Sequence, residues 1–309
     1  MQRQLTAVIV HWNQPESCVR TARQFASFAA VRRIIVVDNG SGEAATVSLR
    51  RAFTGDAKIE LHEVGYNSGY GPGVNRGWRE WLADPSGTEW AVVAPHDAVV
   101  DEETIDRLRD VADGSVDQHC NFGLLSADVG DGAAPFVDHV FGPITRPATS
   151  TNSVELVDYP HGTLFAVSRT LLGNVGMFDE RFFSYCEEAD LGLRAKAAGF
   201  DVGLVRGARV LNPHVNTPTP VIDYLQERNT ILLIAKHFGP AKAALRFTLT
   251  LAHYGIGLLR PSRRGLYFDA TARGQAIRDV LRRSWGAPPD SLLPAPASAS
   301  SETGLASVR

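Results

Sequence analysis

The chain is short of the features that mark several protein classes. It has only 3 cysteines in 309 residues, Cys18, Cys120 and Cys186, odd in number and far apart. That spacing excludes a disulfide framework and a paired-cysteine metal site, and it suits a reducing compartment. Neither sign of charge is in excess, since 31 Lys and Arg face 34 Asp and Glu. Near-neutrality argues against a nucleic-acid binder that relies on bulk positive charge. Long apolar runs are missing too: the uncharged stretch from Phe247 to Leu259 falls short of the roughly 18 residues a spanning helix needs. The opening Met1-Gln2-Arg3-Gln4 leads at once into an apolar strand and does not read as a signal peptide. The expectation is a soluble, cytoplasmic protein, and 44% hydrophobic residues are enough for a sizeable core.

The charge is unevenly spread. From Val221 to Gly286 there are 11 Lys and Arg against 4 Asp and Glu, whereas the first 220 residues hold 19 basic and 28 acidic groups. An acidic body is thus joined to a basic C-terminal segment.

The first half alternates short β-branched runs with helical stretches. Leu5–Val10, Arg33–Val37, Lys58–Val64 and Trp90–Ala94 read as strands, and 15–28, 44–52, 73–82 and 101–111 as helices. That order predicts a parallel sheet covered on both faces, with ligands at the carboxyl ends of its strands. Residues 121–159 read as mixed strands and loops, followed by a strand at 162–167, helices at 171–175 and 187–199, and strands at 202–205 and 208–211. Beyond Ile222 the pattern is helical, over 222–238, 241–258 and 271–285. From Ala287 the Ala, Pro and Ser content predicts disorder.

Five segments have chemistry to offer. Val37-Asp38-Asn39-Gly40-Ser41 ends a strand, where a carboxylate accepts hydrogen bonds from a base imide or ribose, or where Asp-Asn-Gly simply makes a turn. Gly65 to Gly77, with Asn67, Gly69, Asn75 and Arg76, is a glycine-rich stretch that lets backbone approach a ligand. It is neither a Walker loop nor a good dinucleotide fingerprint. In Pro95-His96-Asp97 a strand-end carboxylate either holds a divalent cation on phosphate oxygens or stands solvated. Cys186-Glu187-Glu188-Ala189-Asp190 opens a helix with three acids. They either complement the helix dipole or, crowded beside aromatics, include a general base. Asn212-Pro213-His214 places a histidine past a strand end, able to ligate a metal, although most lone histidines do not.

Taken in order, VIVHWN, VVDNGS, NSGYGPGVNRG, the PHD turn, GTLFAVSR and GMFDERFFSYCEEADLGLRAKAAGF resemble family 2 glycosyltransferases of the GT-A fold, in particular their rhamnosyltransferase-like branch. The resemblance runs from about Thr6 to Leu211 and continues more weakly through Glu227-Arg228-Asn229. It implies an α/β fold, a Rossmann-like nucleotide-binding mixed sheet flanked by helices, with a C-terminal helical segment. The division would be a catalytic domain over 1–220, a basic helical segment over 221–286 and a tail over 287–309.

The resemblance also implies site roles. His11 and Asp38 would hold the base and ribose, and Asn67, Gly69, Asn75 and Arg76 would cover the nucleotide and diphosphate. Asp97 would bind a divalent cation, Mg2+ or Mn2+, completed by His214. Glu188 would be the general base of an inverting transfer, with Glu187 and Asp190 orienting it or the acceptor. The implied donor is a dTDP- or UDP-sugar, dTDP-L-rhamnose favoured. The acceptor would be a cell-envelope glycan or lipid-linked intermediate, with a secondary metabolite as the alternative. Two departures stand out: Pro95 replaces the first acid of the metal motif, and Glu188 stands where Asp is common. A sugar nucleotidyltransferase would place a glycine-rich loop with a basic residue after the first strand, where this chain has His11-Trp12-Asn13. A non-catalytic glycan-binding relative is the third reading, against which Glu188, Asp97 and His214 argue. The basic C-terminal helices are expected either to be a solvated face or to rest on an anionic inner membrane surface.

Overall fold

The computed structural model describes residues 4–114, 120–148, 153–211 and 217–293. The first unit lays down β1 (Leu5–His11), α1 (Pro15–Ser27), β2 (Val31–Asp38), α2 (Glu43–Phe53), β3 (Ile59–Glu63), α3 (Tyr70–Ala83) and β4 (Trp90–Pro95). β1 is buried along its whole length and lies between parallel partners β2 and β4. That explains its continuous apolar run, because both of its faces are covered by helices.

The chain continues through β5 (Val99–Val100), α4 (Glu102–Ala112), β6 (Phe122–Asp128), β7 (Ala133–Asp138), β8 (Gly142–Pro147), β9 (Val154–Leu156) and β10 (Phe165–Ser168). Asp101 starts α4 by accepting a hydrogen bond from the Thr104 amide. After α5 (Arg169–Val175) and α6 (Glu187–Ala197) comes β11 (Asp201–Leu211). The main sheet runs β3-β2-β1-β4-β10-β6-β11-β5, with β9 also paired to β11. β10 is antiparallel to both β4 and β6, so the sheet is mixed, whereas strand–helix alternation alone predicts a parallel one. The two strands expected at 202–205 and 208–211 are one strand, interrupted by a register shift between Val205 and Arg209.

Helix α3 begins at Tyr70, three residues before the sequence pattern suggests. Most of the glycine-rich stretch is therefore helix. A side chain at Gly77 would come within 2.4 Å of Val8, and one at Gly73 within 2.9 Å of Val10. These glycines let α3 lie close on β1 and do not cradle a ligand.

Three helices follow: α7 (Thr219–Phe238), α8 (Pro240–Leu259) and α9 (Ala270–Arg282). One face of α7 packs Val221, Tyr224 and Leu225 with Phe183, Ala272 and Ala276. Further along, Leu232 and Leu233 pack with Val137, Phe182 and Ala189. This burial ties the basic segment to the entry of α6. The disorder expected from Ala287 does not extend to 287–293: residues 290–292 form a helical turn, and Leu292 packs beside the first of these clusters. No helix among the described residues is long and apolar enough to cross a membrane.

Candidate active site

Two cavities meet beyond the carboxyl ends of β1, β2 and β4. The first, about 290 Å³, is walled by the turn after β1 (His11, Trp12, Asn13), by Asn39, Asn67 and Gly69, and by Tyr185. The second, about 550 Å³, is walled by Glu187, Glu188, Tyr159, Gly162, Glu227 and Arg246. Tyr70, Pro95, Ser184 and Tyr185 line both.

The strand-end cavity is built mostly from side chains that satisfy one another; the exception is His96, whose buried Nε2 has no partner among the described residues. His11 is fully buried; its Nε2 accepts from the Gln14 amide, so the proton sits on Nδ1, which faces Asp38 Oδ1 at 3.3 Å. Asp38 accepts in addition from the Ser41 amide and from Thr46 Oγ1 at 2.7 Å. Burial pushes its carboxyl up, but the hydrogen bonds from His11, Ser41 and Thr46 outweigh it and hold the group below its ordinary value. Asp38 thus stands behind the wall. The neighbouring Asn39 lines the cavity, donating to Gly69 O at 2.9 Å and accepting from Ser68 Oγ at 2.6 Å. Asn67 Oδ1 closes the same network by accepting from the Gly69 amide.

The segment leading into α6, beside the larger cavity, is held under strain. Phe183, Tyr185 and Cys186 all have left-handed backbone, with φ of 64°, 67° and 75°. Asn229 over-determines the segment: its Nδ2 lies 2.7 to 2.9 Å from the carbonyls of Phe182, Ser184 and Tyr185. Arg228, fully buried, in turn donates to Asn229 Oδ1, Tyr224 Oη and Gly286 O. The Glu227-Arg228-Asn229 run is therefore the clamp that presents the first turn of α6.

That turn points its three acids in different directions. Glu188 faces the larger cavity, and burial pushes its carboxyl up to about 7 against hydrogen bonding to its own amide. A side chain at Gly162 would sit 2.1 Å from Glu188 Oε1, so glycine there makes room for the carboxylate. Glu187 is nearly inaccessible, and burial, then the charges of Glu188 and Asp190, push it well above the carboxylate range. Its Oε2 has no partner among the described residues. Asp190 turns away from both cavities. It meets His237 Nε2 and Lys236 Nζ at 2.7 Å and Arg194 Nε at 2.9 Å. Burial raises its carboxyl, and the hydrogen bond from His237 with the charges of Arg194 and Lys236 more than reverses that. Asp190 thus anchors α6, the helix that carries Glu188, and lines neither cavity.

Asn75 and Arg76 are likewise not brought to the cavities. Asn75 is buried, donating to Phe178 O at 2.9 Å and accepting from the Phe178 amide at 3.0 Å, so it fastens α3 to the loop before α6. Arg76 pairs with Glu80 one turn along the exposed face of α3. Both lie within α3, whose faces at these positions meet the Phe178 loop and solvent and not the strand ends.

Among the described residues no group of three His, Cys, Asp or Glu is placed to hold a metal ion. His214 lies outside the described residues. Asp97 is half-buried in the turn after β4; burial raises the neighbouring Tyr70 hydroxyl and lowers His96, and the Asp97 charge acts upward on both, adding to the first and opposing the second. One carboxylate suits Mg2+ or Mn2+ that takes its remaining ligands from phosphate and water, and does not suit an all-protein cage. Sequence reasoning did not single out Asn39, Tyr70, Tyr185, Gly162 or Arg246 as lining residues. Asn39 and Gly162 were within reach, since they stand inside VVDNGS and at the head of GTLFAVSR.

A mixed sheet with a strand-end pocket, continued by a carboxylate-lined cavity, defines the GT-A architecture of nucleotide-sugar glycosyltransferases. Two solved structures share it. A mannosyltransferase from Pyrobaculum calidifontis in complex with GDP-Man and Mn2+ matches with a TM-score of 0.55 and 13% identity, covering 92% of this chain and 87% of that one. GalNAc-T7 with UDP, GalNAc and Mn2+ matches at 0.61 and 12% identity, covering 91% of this chain and 56% of that one.

In sequence the chain is rhamnosyltransferase-like. It is 28% identical over 246 residues to the N-acetylglucosaminyl-diphospho-decaprenol L-rhamnosyltransferase of Mycobacterium tuberculosis, covering 70% of this chain and 79% of that protein. It is 24% identical over 209 residues to the low-salt glycan biosynthesis hexosyltransferase Agl10 of Haloferax volcanii, covering 64% of each. No protein-family model matches the chain.

Proposed function

We propose that the protein transfers a sugar from a nucleotide-diphosphate donor to a hydroxyl of a glycan or lipid-linked acceptor, with inversion at the anomeric carbon. The observation that carries this reading is Glu188: a carboxyl pushed up to about 7, in a cavity contiguous with the strand-end pocket. A base of that strength still ionises at neutral pH and accepts a proton better than an ordinary carboxylate. In the reaction Glu188 takes the acceptor hydroxyl proton as the oxygen attacks the anomeric carbon. The bond from that carbon to the diphosphate oxygen breaks, its electron pair leaves with the nucleotide diphosphate, and one displacement inverts the centre.

His11, Asn39 and Asn67 fix the turns that receive the base and ribose, with Asp38 setting the His11 tautomer from behind. A divalent cation held at Asp97 would supply neutralisation of the diphosphate charge. Burial and the Glu188 charge both disfavour a negative charge on Glu187 beside the base. L-Rhamnose is the favoured sugar, because the Mycobacterium relative is a rhamnosyltransferase, and dTDP is the carrier that the family resemblance implies. That relative's name also favours a diphospholipid-linked acceptor.

The outward face of α8 agrees with a lipid-linked substrate. Leu245, Leu251, Ile256 and Leu259 are exposed along it, and Arg260, Arg263 and Arg264 follow directly, also exposed. An apolar stripe ending in arginines fits peripheral contact with an anionic membrane surface. A thermal-shift screen of nucleotide sugars, with and without Mn2+, tests the central reading. A matching donor raises the midpoint by mass action, and stabilisation by none of them contradicts it.

A further inference from the structure

Behind the acceptor cavity lies a third one, about 410 Å³, walled by Glu227, Arg246, His253, Ile256, Arg263 and Arg273 together with Gly265 and Phe268. It shares Glu227 and Arg246 with the acceptor cavity, so those two residues form the common wall. Three guanidiniums are gathered here against two carboxylates. Glu227 Oε2 accepts from Arg246 Nη2 at 2.9 Å and from Thr250 Oγ1 at 2.8 Å, and Arg273 Nη2 lies 3.3 Å from Glu227 Oε1. Arg273 is also held by Asp223. The balance is positive before His253 is considered.

Two features separate this cluster from a set of ordinary ion pairs. Arg246 is only 8% exposed, yet its Nε has no hydrogen-bond partner among the described residues. A buried guanidinium N–H without a partner is costly, and an anion in the cavity would satisfy it. Arg263 is exposed at the rim and adds its charge to the mouth of the cavity. Phe268 braces the arrangement, with the Arg273 guanidinium over its ring at 4.7 Å and the Arg264 guanidinium at 5.2 Å. Forked guanidiniums converging from two sides match the paired oxygens of a phosphate.

We propose that this cavity is an anion site that grips the diphosphate of the acceptor, one wall away from Glu188. The proposal rests on the glycosyltransferase reading and narrows its acceptor to a sugar carried on a diphosphate. Ile256 lines the cavity and is exposed on the leucine face of α8, so a chain attached to the diphosphate has an apolar path outward. The acceptor sugar would extend from the diphosphate past the Glu227 and Arg246 side chains, which line both cavities, with its hydroxyl directed toward the base.

The test is a calorimetric titration of the full chain with inorganic pyrophosphate, the strand-end pocket being filled beforehand with excess nucleoside diphosphate. One equivalent is expected to bind, and Arg263→Gln should weaken it about tenfold, the loss of one charge-assisted hydrogen bond at a rim position. Arg282→Gln, an exposed arginine not lining the cavity, should leave binding unchanged. A short-chain alkyl diphosphate should bind tighter than pyrophosphate by about tenfold, since it buries part of its chain on Ile256. Equal affinity of the two would assign the cavity to free diphosphate and overturn the acceptor assignment. No binding beside bound nucleotide, or binding indifferent to Arg263→Gln, would overturn the site itself. Failure of the nucleoside diphosphate to bind in the first step would instead strike the glycosyltransferase reading, so the two failures are separable.

Discussion

The two ends of the cleft are built to opposite specifications. At the strand ends His11, Asp38, Asn39 and Asn67 spend their hydrogen bonds on one another and on neighbouring backbone, and of the side chains in that wall His96 alone has a buried atom, Nε2, without a partner among the described residues. At the other end Glu187 Oε2 and Arg246 Nε are buried without partners among the described residues, and Glu188 is held where its charge is disfavoured. The first kind of wall fixes a shape for a ligand to fit; the second stores unmet electrostatic demand that a reacting or charged group can meet. Three left-handed residues, Phe183, Tyr185 and Cys186, mark the boundary between the two, and strain is tolerated there because Asn229 holds the carbonyls around it.

Substitutions can break this contrast at chosen points. The largest expected effect is from Glu188→Gln, which removes the base and should lower sugar transfer by roughly a thousandfold while nucleotide-sugar binding, read by calorimetry, persists. Gly162→Ala comes next. Its methyl group would displace only the end of the Glu188 side chain, so folding should be normal while turnover falls about tenfold to a hundredfold. Asp190→Asn should act on stability first. It leaves Arg194 and His237 without their carboxylate and Lys236 with Asp179 alone, and should cost about 2 kcal/mol in denaturant unfolding, less than a fully enclosed pair because the cations are partly solvated.

Glu187→Gln is the smallest. Because Glu187 and Glu188 are raised in the folded state, folding holds protons that the unfolded chain releases. Wild-type stability therefore falls as the pH rises above the ordinary carboxylate range. The amide cannot ionise, so this variant should gain on wild type progressively as the pH rises from 5 to 8, measured by thermal unfolding.

Much of the nucleotide end could be read in the sequence, because strand-end loops follow directly from the alternation of apolar runs and turns. Leu5–Val10 and Trp90–Ala94 announce buried strands, and His11 and Asp38 fall where such strands stop. The mixed character of the sheet was not visible in local pattern, since β10 enters between β4 and β6 from seventy residues away. Asn75 and Arg76 were misleading because glycine-rich composition suggests a ligand loop, whereas Gly73 and Gly77 serve close helix–strand packing. The three acids of α6 were legible as a cluster but not by direction. Which of them meets the cavity depends on the left-handed Cys186 that starts the helix and on the cations of α7 that draw Asp190 aside. Arg246 was unreadable as a wall of the cleft, since only the docking of α8 against α7 brings it there.

The most direct test of the account is the single-turnover transfer rate between pH 5 and pH 9 with donor saturating. The wild-type rate should rise about tenfold per pH unit until it levels near 7, where Glu188 ionises, and the residual rate of Glu188→Gln should show no such limb. A wild-type rate that is flat from pH 5 to pH 8, or a limb that survives in Glu188→Gln, would contradict the assignment of Glu188 as the base and with it the division of the cleft into a fitted end and a reactive one.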